Sequence, residues 1–164
     1  MVTAMQLAAT LSLEGEIPLW RLFYHIVFAT RERRPILTSP LRDAARRMLY
    51  HKAEELGCVV HAIHVQPEHA HLVLSVPPAR SLAMVVGQLK GNSSHGLASL
   101  LPPWEEGVWQ ESYSVFSLGE GDLPDVVRYV RDQDRRHAGG RLWPQYEAVE
   151  QDVSARVGPG SDAT

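Results

Sequence analysis

Apolar and polar positions alternate along the chain in a pattern that predicts four strands and three helices. Short runs rich in aromatic or β-branched residues predict strands at 20–30, 58–65 and 69–76, with a fourth strand or a bulged pair at 108–118. Apolar residues at three- and four-residue spacing predict helices at 39–56, at 81–101 and from residue 122 onward. This order is the ferredoxin-like βαββαβ arrangement followed by a C-terminal helix. We therefore expect an α+β fold with an antiparallel sheet and helices on one face, leaving the other face open.

Local residue types mark where these helices begin and end. Ser39 is placed to cap the first helix, with Pro40 at its first position, and Gly57 is placed to stop it. Asp122 is placed to cap the last helix.

The length of 164 residues predicts one domain. We assign it to residues 19–145, between a mobile N-terminal extension (1–18) and a flexible tail (146–164). Cys58 is the single cysteine, which excludes an internal disulfide. No apolar run approaches the ~20 residues that a membrane span needs, so no membrane partner and a cytoplasmic location are expected.

Charge is distributed unevenly although the net charge is only −3. Residues 19–101 hold ten Lys/Arg and five Asp/Glu, whereas residues 102–164 hold six and twelve. A basic cluster at Arg31, Arg33 and Arg34 follows the first predicted strand. Such a cluster indicates either a nucleic-acid contact or a solvated surface.

Two constellations carry candidate chemistry. His69 and His71 lie two apart on a predicted strand, which places both imidazoles on the open face, since Ala70 and Leu72 point the other way. Two neighbouring imidazoles can bind a metal ion. The alternative is that His69 and His71 are two surface histidines. Tyr129 and Gln133 are four residues apart on the last predicted helix and therefore share a face. They could be a nucleophile and a metal ligand, and the alternative is that they pack at the contact of helix and sheet.

Four ordered segments resemble the single-tyrosine HUH transposases of small bacterial insertion sequences, the insertion-sequence-200-like family. They are QPEHAHLVLSVPP (66–78), YHIVFATRERRPIL (24–37), VVGQLKGNSSHGL (85–97) and VWQESYSVFSLGEGDLPDVVRYVRDQ (108–133). The resemblance covers residues 24–137, most of the chain.

This resemblance implies a role for each matching residue. His69 and His71 become paired ligands of Mg²⁺ or Mn²⁺, and Gln133 becomes the third ligand. Tyr129 becomes the nucleophile that cleaves and rejoins single-stranded DNA at hairpin-marked ends through a 5′-phosphotyrosine. The residue that removes the phenol proton is left open: His25, His61 and His64 are candidates, with strand histidines in structural contacts as the alternative.

The resemblance also implies partners. Lys90, His95 and the three clustered arginines are candidates for DNA phosphate contacts. A homodimer is expected, with the tyrosine helix of one subunit completing the site of the other, and Gly119 and Gly121 supply a flexible link before that helix.

Two alternatives to an active mobile-element transposase stay open. One keeps the nuclease chemistry but assigns it a host role at repeated palindromes. The other is a non-catalytic DNA-binding protein that retains the fold. Loss of a histidine or of the tyrosine would favour the latter, and all are present.

Overall fold

The structure is a computed structural model, and it describes residues 19–102 and 107–141. Its four strands are β1 (Phe23–Ala29), β2 (Val59–Val65), β3 (His69–Ser75) and β4 (Ser114–Leu118). Its helices are α1 (Ser39–Glu55), α2 (Leu82–Ala98), α3 (Leu123–Arg131) and α4 (Gln133–Gly139), and a short 3₁₀ turn spans Arg31–Arg33. The predicted order of elements is confirmed.

The strands form one antiparallel sheet in the order β2-β3-β1-β4. Strand β3 is one of the two interior strands, so its backbone pairs with β2 on one side and with β1 on the other. His71 lies opposite Val27 of β1 and His64 of β2, and His69 lies opposite Ala29 of β1. This register places the two histidines near the end of β1 where the 3₁₀ turn begins.

One face of the sheet forms the main core with α1 and α2. Ala70, Leu72 and Leu74 of β3 point into it and pack with residues such as Leu49 of α1 and Leu89 of α2. Because residues two apart on a strand share a face, His69, His71 and Val73 point to the opposite side. The predicted alternation along β3 is confirmed.

The last predicted helix is not continuous. It divides into α3 and α4 at Asp132, whose backbone leaves the helical region (φ −93°, ψ 14°). Asp122 makes no capping hydrogen bond through its side chain. The first helix likewise begins at Ser39 with Thr38 as its cap residue and has no side-chain cap. Asp122 does occupy the N-cap position of α3, as predicted, whereas the cap residue of α1 is Thr38 and not the predicted Ser39. Gly57 ends α1 with a left-handed backbone (φ +79°).

The face predicted to be open is covered by α3. Val126, Tyr129 and Val130 of this helix pack against Ala62 of β2 and Val73 of β3 in a second, smaller core. The apolar stripe of the helix explains this, because an exposed stripe of that size gains free energy by covering apolar strand residues. Pattern analysis located the stripe but did not assign it to this face.

The fourth strand is shorter than predicted. Residues 108–113 precede it in irregular structure, and Trp109 makes only an isolated bridge to Thr30. The Trp109 side chain is buried, with its ring edge-on to Phe28 and its Nε1 donating to Ser93 Oγ at 2.8 Å. Trp109 therefore packs in the core and is not a base-stacking surface.

Several predictions fall outside the described residues. The N-terminal extension (1–18) and the tail (146–164) lie there, as do Glu105 and Glu106 of the acidic segment. Within the described part, no helix is long and apolar enough to cross a membrane.

Candidate active site

Strand β3 brings His69 and His71 together on one face of the sheet. Their ring centroids are 4.8 Å apart and the rings are nearly perpendicular, at 78°. The predicted pairing of the imidazoles is thus present. The predicted exposure is wrong, because His69 is 2% exposed and His71 is 0% exposed.

Helix α3 places Tyr129 beside this pair. The Tyr129 ring lies 6.3 Å from the His71 ring between centroids, edge to face at 83°, and Tyr129 is fully buried. Gln133 begins α4, also fully buried, and its Nε2 donates to the Tyr129 carbonyl oxygen at 3.5 Å. The amide nitrogen is directed to this carbonyl, and the amide oxygen Oε1, the type of atom that binds a metal, is buried.

All four of these residues come from one chain. Within the chain, Tyr129 contacts the ring of its own His71, and the expectation that the tyrosine helix of a second subunit completes the site stays a prediction.

Two further side chains lie against the histidine pair. Glu68 Oε1 is 3.0 Å from His69 Nδ1. His25 Nε2, on β1, is 3.0 Å from His71 Nδ1, and the two rings are stacked at 11° with centroids 5.2 Å apart. Glu68 therefore belongs to the site.

Sequence reasoning missed two neighbours of the site on α4. The His137 ring lies 5.1 Å from the His69 ring, and the Arg136 guanidinium lies over the Tyr129 ring, 4.8 Å from its centroid. The signal was present in the spacing, because His137 follows Gln133 by four residues and therefore shares its helix face.

Asp134 holds α4 against the rest of the domain. Its Oδ1 accepts from Gln66 Nε2 at 3.2 Å and lies 3.3 Å from His64 Nε2 and 3.6 Å from Arg42 Nη1. A cavity of about 250 Å³ borders this cluster, and Arg46 also lines it. These contacts fasten the helix that carries Gln133 to the ends of α1 and β2.

Comparison with known proteins assigns the family. The sequence profile described as "Transposase IS200 like" matches residues 18–133, which is most of the chain. The chain belongs to the IS200-like transposase family.

Individual relatives agree with this assignment. The transposase is 26% identical over 125 residues to the ISDra2 transposase TnpA of Deinococcus radiodurans, covering 73% of this chain and 89% of that protein. It is 26% identical over 123 residues to the transposase of the insertion sequence element IS200 of Salmonella typhimurium, covering 71% and 81%.

Two solved structures share the fold. A crystal structure described as a transposase from Deinococcus radiodurans matches with a TM-score of 0.59 and 27% identity, over 74% of this chain and 97% of that one. A REP-associated tyrosine transposase bound to a REP hairpin matches with a TM-score of 0.57 over 80% and 81% of the two chains, and at 16% identity it shows the fold alone.

The basic candidates of the transposase divide into two groups. Arg31 and Arg33 are exposed on the 3₁₀ turn, and the amide of Thr30 just before it donates to the Glu68 carbonyl at 2.8 Å. The turn, which also leads to half-buried Arg34, therefore adjoins the segment that ends at His69.

Lys90 and His95 lie elsewhere, on α2, which packs on the opposite face of the sheet. Lys90 Nζ donates to the Glu111 carbonyl at 2.7 Å and holds the segment before β4 in place. Burial lowers the Lys90 pKa and Glu111 partly opposes that shift. The structure does not bring these two residues to the histidine pair.

The acidic residues before α3 are partly paired within the transposase itself. Glu120 forms a salt bridge with Arg21 at 2.5 Å, and Asp125 pairs with Arg128 one turn along α3. Both pairs are exposed, so each contributes little to stability.

The three strand histidines each have a structural contact. His25 contacts His71, His64 contacts Asp134, and His61 contacts Ser75 Oγ at 2.7 Å. Burial is the main cause that lowers the pKa of His61 and of His64, and Asp134 partly opposes it at His64. These contacts agree with the interpretation as strand histidines.

The lowered pKa of His61 predicts a stability that falls with acidification. The unfolded chain takes up a proton at the ordinary histidine pKa of about 6.5, whereas the folded protein resists it. The free energy of unfolding is therefore highest above that pH and declines as the pH falls through it. Urea unfolding at pH 7.5 and 5.5 measures this, and His61→Gln is expected to reduce the decline. An equal decline in wild type and variant would contradict the assignment to His61.

Proposed function

We propose that this transposase cleaves and rejoins single-stranded DNA at the hairpin-marked ends of a mobile element. Tyr129 is the proposed nucleophile and forms a 5′-phosphotyrosine, and His69, His71 and Gln133 are the proposed ligands of a divalent metal. The observation that carries the proposal is the contact of the Tyr129 ring with His71, 6.3 Å between centroids, in a buried cluster that also holds His69 and Gln133.

The donor set fits a divalent ion. Two neutral imidazoles and one carboxamide oxygen supply mixed nitrogen and oxygen donors, and the ligand atoms of all three side chains are buried. Among the described residues, no three His, Cys, Asp or Glu side chains are grouped to hold a metal, and in the proposed set Gln133 supplies the third donor. Mn²⁺ suits this set better than Mg²⁺, which prefers near-octahedral oxygen and retains its waters.

When bound, the ion polarises the scissile phosphate and stabilises the charge that develops on it. The protein supplies the other parts of the reaction. The Tyr129 oxygen attacks phosphorus and loses its proton, the Tyr129 O–P bond forms, and the bond from phosphorus to the 3′-oxygen breaks. The released 3′-oxygen takes up a proton, and the phosphotyrosine bond retains the energy for rejoining.

Arg136 fits a supporting role in this step. The positive charge of the guanidinium over the ring face would stabilise the negative charge that develops on the phenol as its proton leaves.

Substrate access requires α3 and α4 to move. Tyr129 and Gln133 are both fully buried, so a DNA phosphate cannot reach the phenol in the arrangement observed. The Asp134 contacts to Gln66, His64 and Arg42 are among the polar contacts that have to break for α4 to lift. Gly119 and Gly121 precede α3 and can absorb the change in backbone direction.

A homodimer is part of the proposal, with each site formed within one chain. Edge strand β4 suits pairing with a second copy, since β-strand edges present unpaired backbone groups. The contact of Tyr129 with His71 of its own chain supports sites that are not shared. Light scattering on the purified protein measures the dimer.

Mixing two inactive variants tests the cis arrangement. Tyr129→Phe keeps its histidines and His71→Leu keeps its tyrosine, so a mixed dimer regains activity only if the tyrosine acts across the interface. We expect no recovery. Recovered cleavage would show that sites are shared between subunits.

The central experiment is formation of a covalent adduct. The wild-type protein is incubated with Mn²⁺ and a labelled single-stranded hairpin from the DNA that flanks its own gene, and the products are separated under denaturing conditions. We expect a protein–DNA band that depends on the metal and is absent with the double-stranded form. No adduct on the flanking hairpins would overturn the proposed activity.

A further inference from the structure

Both histidines of β3 have their Nδ1 atom against another side chain. His69 Nδ1 lies 3.0 Å from Glu68 Oε1, and His71 Nδ1 lies 3.0 Å from His25 Nε2. An imidazole has two nitrogens, so a hydrogen bond at Nδ1 leaves Nε2 as the atom that can bind a metal. The Nε2 atoms of both rings are buried in the same face of the sheet.

We propose that Glu68 and His25 are positioning residues that set the tautomers of His69 and His71 for metal binding through Nε2. The inference rests on the proposed function, because it requires the two histidines to be ligands. It goes beyond that function by naming two residues that do not touch the ion and by assigning each a different task.

Glu68 determines the tautomer of His69 on its own. A carboxylate only accepts hydrogen bonds, so a neutral His69 in contact with it has to carry its proton on Nδ1. The lone pair is then on Nε2 before any metal arrives. The Glu68 backbone is held by the Thr30 amide, which donates to its carbonyl at 2.8 Å, so the carboxylate approaches from a fixed direction.

His25 determines the tautomer of His71 only in part. Either imidazole can donate in the Nε2–Nδ1 contact, so the 3.0 Å distance fits two arrangements. Metal binding by His71 Nε2 selects the one in which His71 Nδ1–H donates to His25. The His25 ring holds its place because it is fully buried, stacked on His71 at 5.2 Å and flanked by Phe116 at 5.9 Å.

The strand register explains why these residues meet. His25 lies opposite Val73, and His71 is two residues from Val73, so His25 and His71 are diagonal neighbours on the same face. Glu68 directly precedes β3, where its side chain reaches the first histidine. The site is thus asymmetric. Glu68 sets the tautomer of His69 before the ion binds, whereas His71 has two tautomers available until then.

Nuclear magnetic resonance tests the tautomers without metal or activity. Long-range ¹H–¹⁵N spectra of the labelled full-length protein at pH 7.5 report which ring nitrogen carries the proton. In wild type we expect His69 with its proton on Nδ1. In Glu68→Ala we expect His69 to populate the Nε2–H form, and in Glu68→Gln, whose amide oxygen still accepts, we expect the wild-type form to return.

Titration with Mn²⁺ alone tests the consequence for the ligands. Glu68→Ala and His25→Leu are expected to weaken Mn²⁺ binding about 10–100-fold, the usual cost of removing a side chain that orients a metal ligand. Glu68→Gln and His25→Gln each keep a polar group at the contact and are expected to recover most of the affinity. Urea midpoints within the wild-type range confirm that each variant is folded.

The outcomes separate this inference from the proposed function. If wild type binds Mn²⁺ and the Ala and Leu variants bind it equally well with unchanged tautomers, Glu68 and His25 do not position the ligands, and the metal site itself stands. If wild type binds no Mn²⁺ with or without the hairpin, the proposed metal site and this inference both fail.

Discussion

Replacing Tyr129 with phenylalanine is expected to abolish the covalent protein–DNA adduct while leaving the fold in place. The substitution removes only the phenolic oxygen, which is the atom that attacks phosphorus in the proposed reaction. Loss of a nucleophile that forms a covalent intermediate commonly lowers the rate by ~10³-fold or more. The measurement is the amount of adduct and of cleaved hairpin after incubation with Mn²⁺.

Tyr50→Phe is the matched control for this experiment. Tyr50 is 40% exposed on α1, which packs on the other face of the sheet, so its hydroxyl is distant from the histidine pair. We expect Tyr50→Phe to form the adduct at the wild-type rate. Adduct formation by Tyr129→Phe would identify another residue as the nucleophile, and peptide mapping of the adduct would locate it.

His71→Leu is expected to remove both Mn²⁺ binding and cleavage. His71 is fully buried at the contact between β3 and α3, so a leucine fills its volume among apolar neighbours such as Val73 and Val130 without supplying a donor. Loss of a metal-binding histidine is expected to weaken Mn²⁺ binding by at least ~100-fold. This is a larger loss than the one expected for removing a residue that only orients such a histidine. Calorimetric titration with Mn²⁺ and the adduct assay measure the two effects.

His61→Leu serves as the control for His71→Leu. His61 is a half-buried histidine of β2 that contacts Ser75 and not the β3 pair. We expect this variant to retain wild-type Mn²⁺ affinity and adduct formation. If His71→Leu binds Mn²⁺ as tightly as His61→Leu does, then His71 is not a ligand and the metal site lies elsewhere.

The burial of Tyr129 and Gln133 affects how the Mn²⁺ titrations and the adduct assay are run. Because Tyr129 and Gln133 are fully buried, the proposed binding of metal and DNA requires a form in which α3 and α4 have moved. A ligand shifts the equilibrium from the observed form toward the form with α3 and α4 moved only if it binds the moved form more tightly. Mn²⁺ titrations are therefore best made with and without the hairpin, since DNA that favours the open form should strengthen metal binding.

The strand pattern was sufficient to predict the histidine pair. On β3 the core residues Leu72 and Leu74 alternate with His71 and Val73, and a period of two fixes which side chains share a face whatever the rest of the fold does. The order of elements followed in the same way from short apolar runs separated by Pro and Gly. These signals are local, so they can be recognised in the sequence without knowledge of tertiary contacts.

Helix α3 shows what local sequence signals cannot predict. The sequence predicts an apolar stripe on it at Leu123, Val126, Val127 and Val130, but an apolar stripe does not specify which surface it covers. The break at Asp132 was not visible either, since the residues on both sides of it suit a helix. His137 and Arg136 entered the site only because α4 folds back over β3.

The sequence by itself determined the strand that carries His69 and His71, the helix that carries Tyr129, and the family to which both belong. Tertiary structure alone decided that the two meet within one chain, in a buried cluster braced by Glu68 and His25. The physical reason is that periodicity fixes the direction of a side chain relative to its own element. The distance between side chains of different elements depends on how those elements pack, and packing is a sum of many weak contacts along the whole chain.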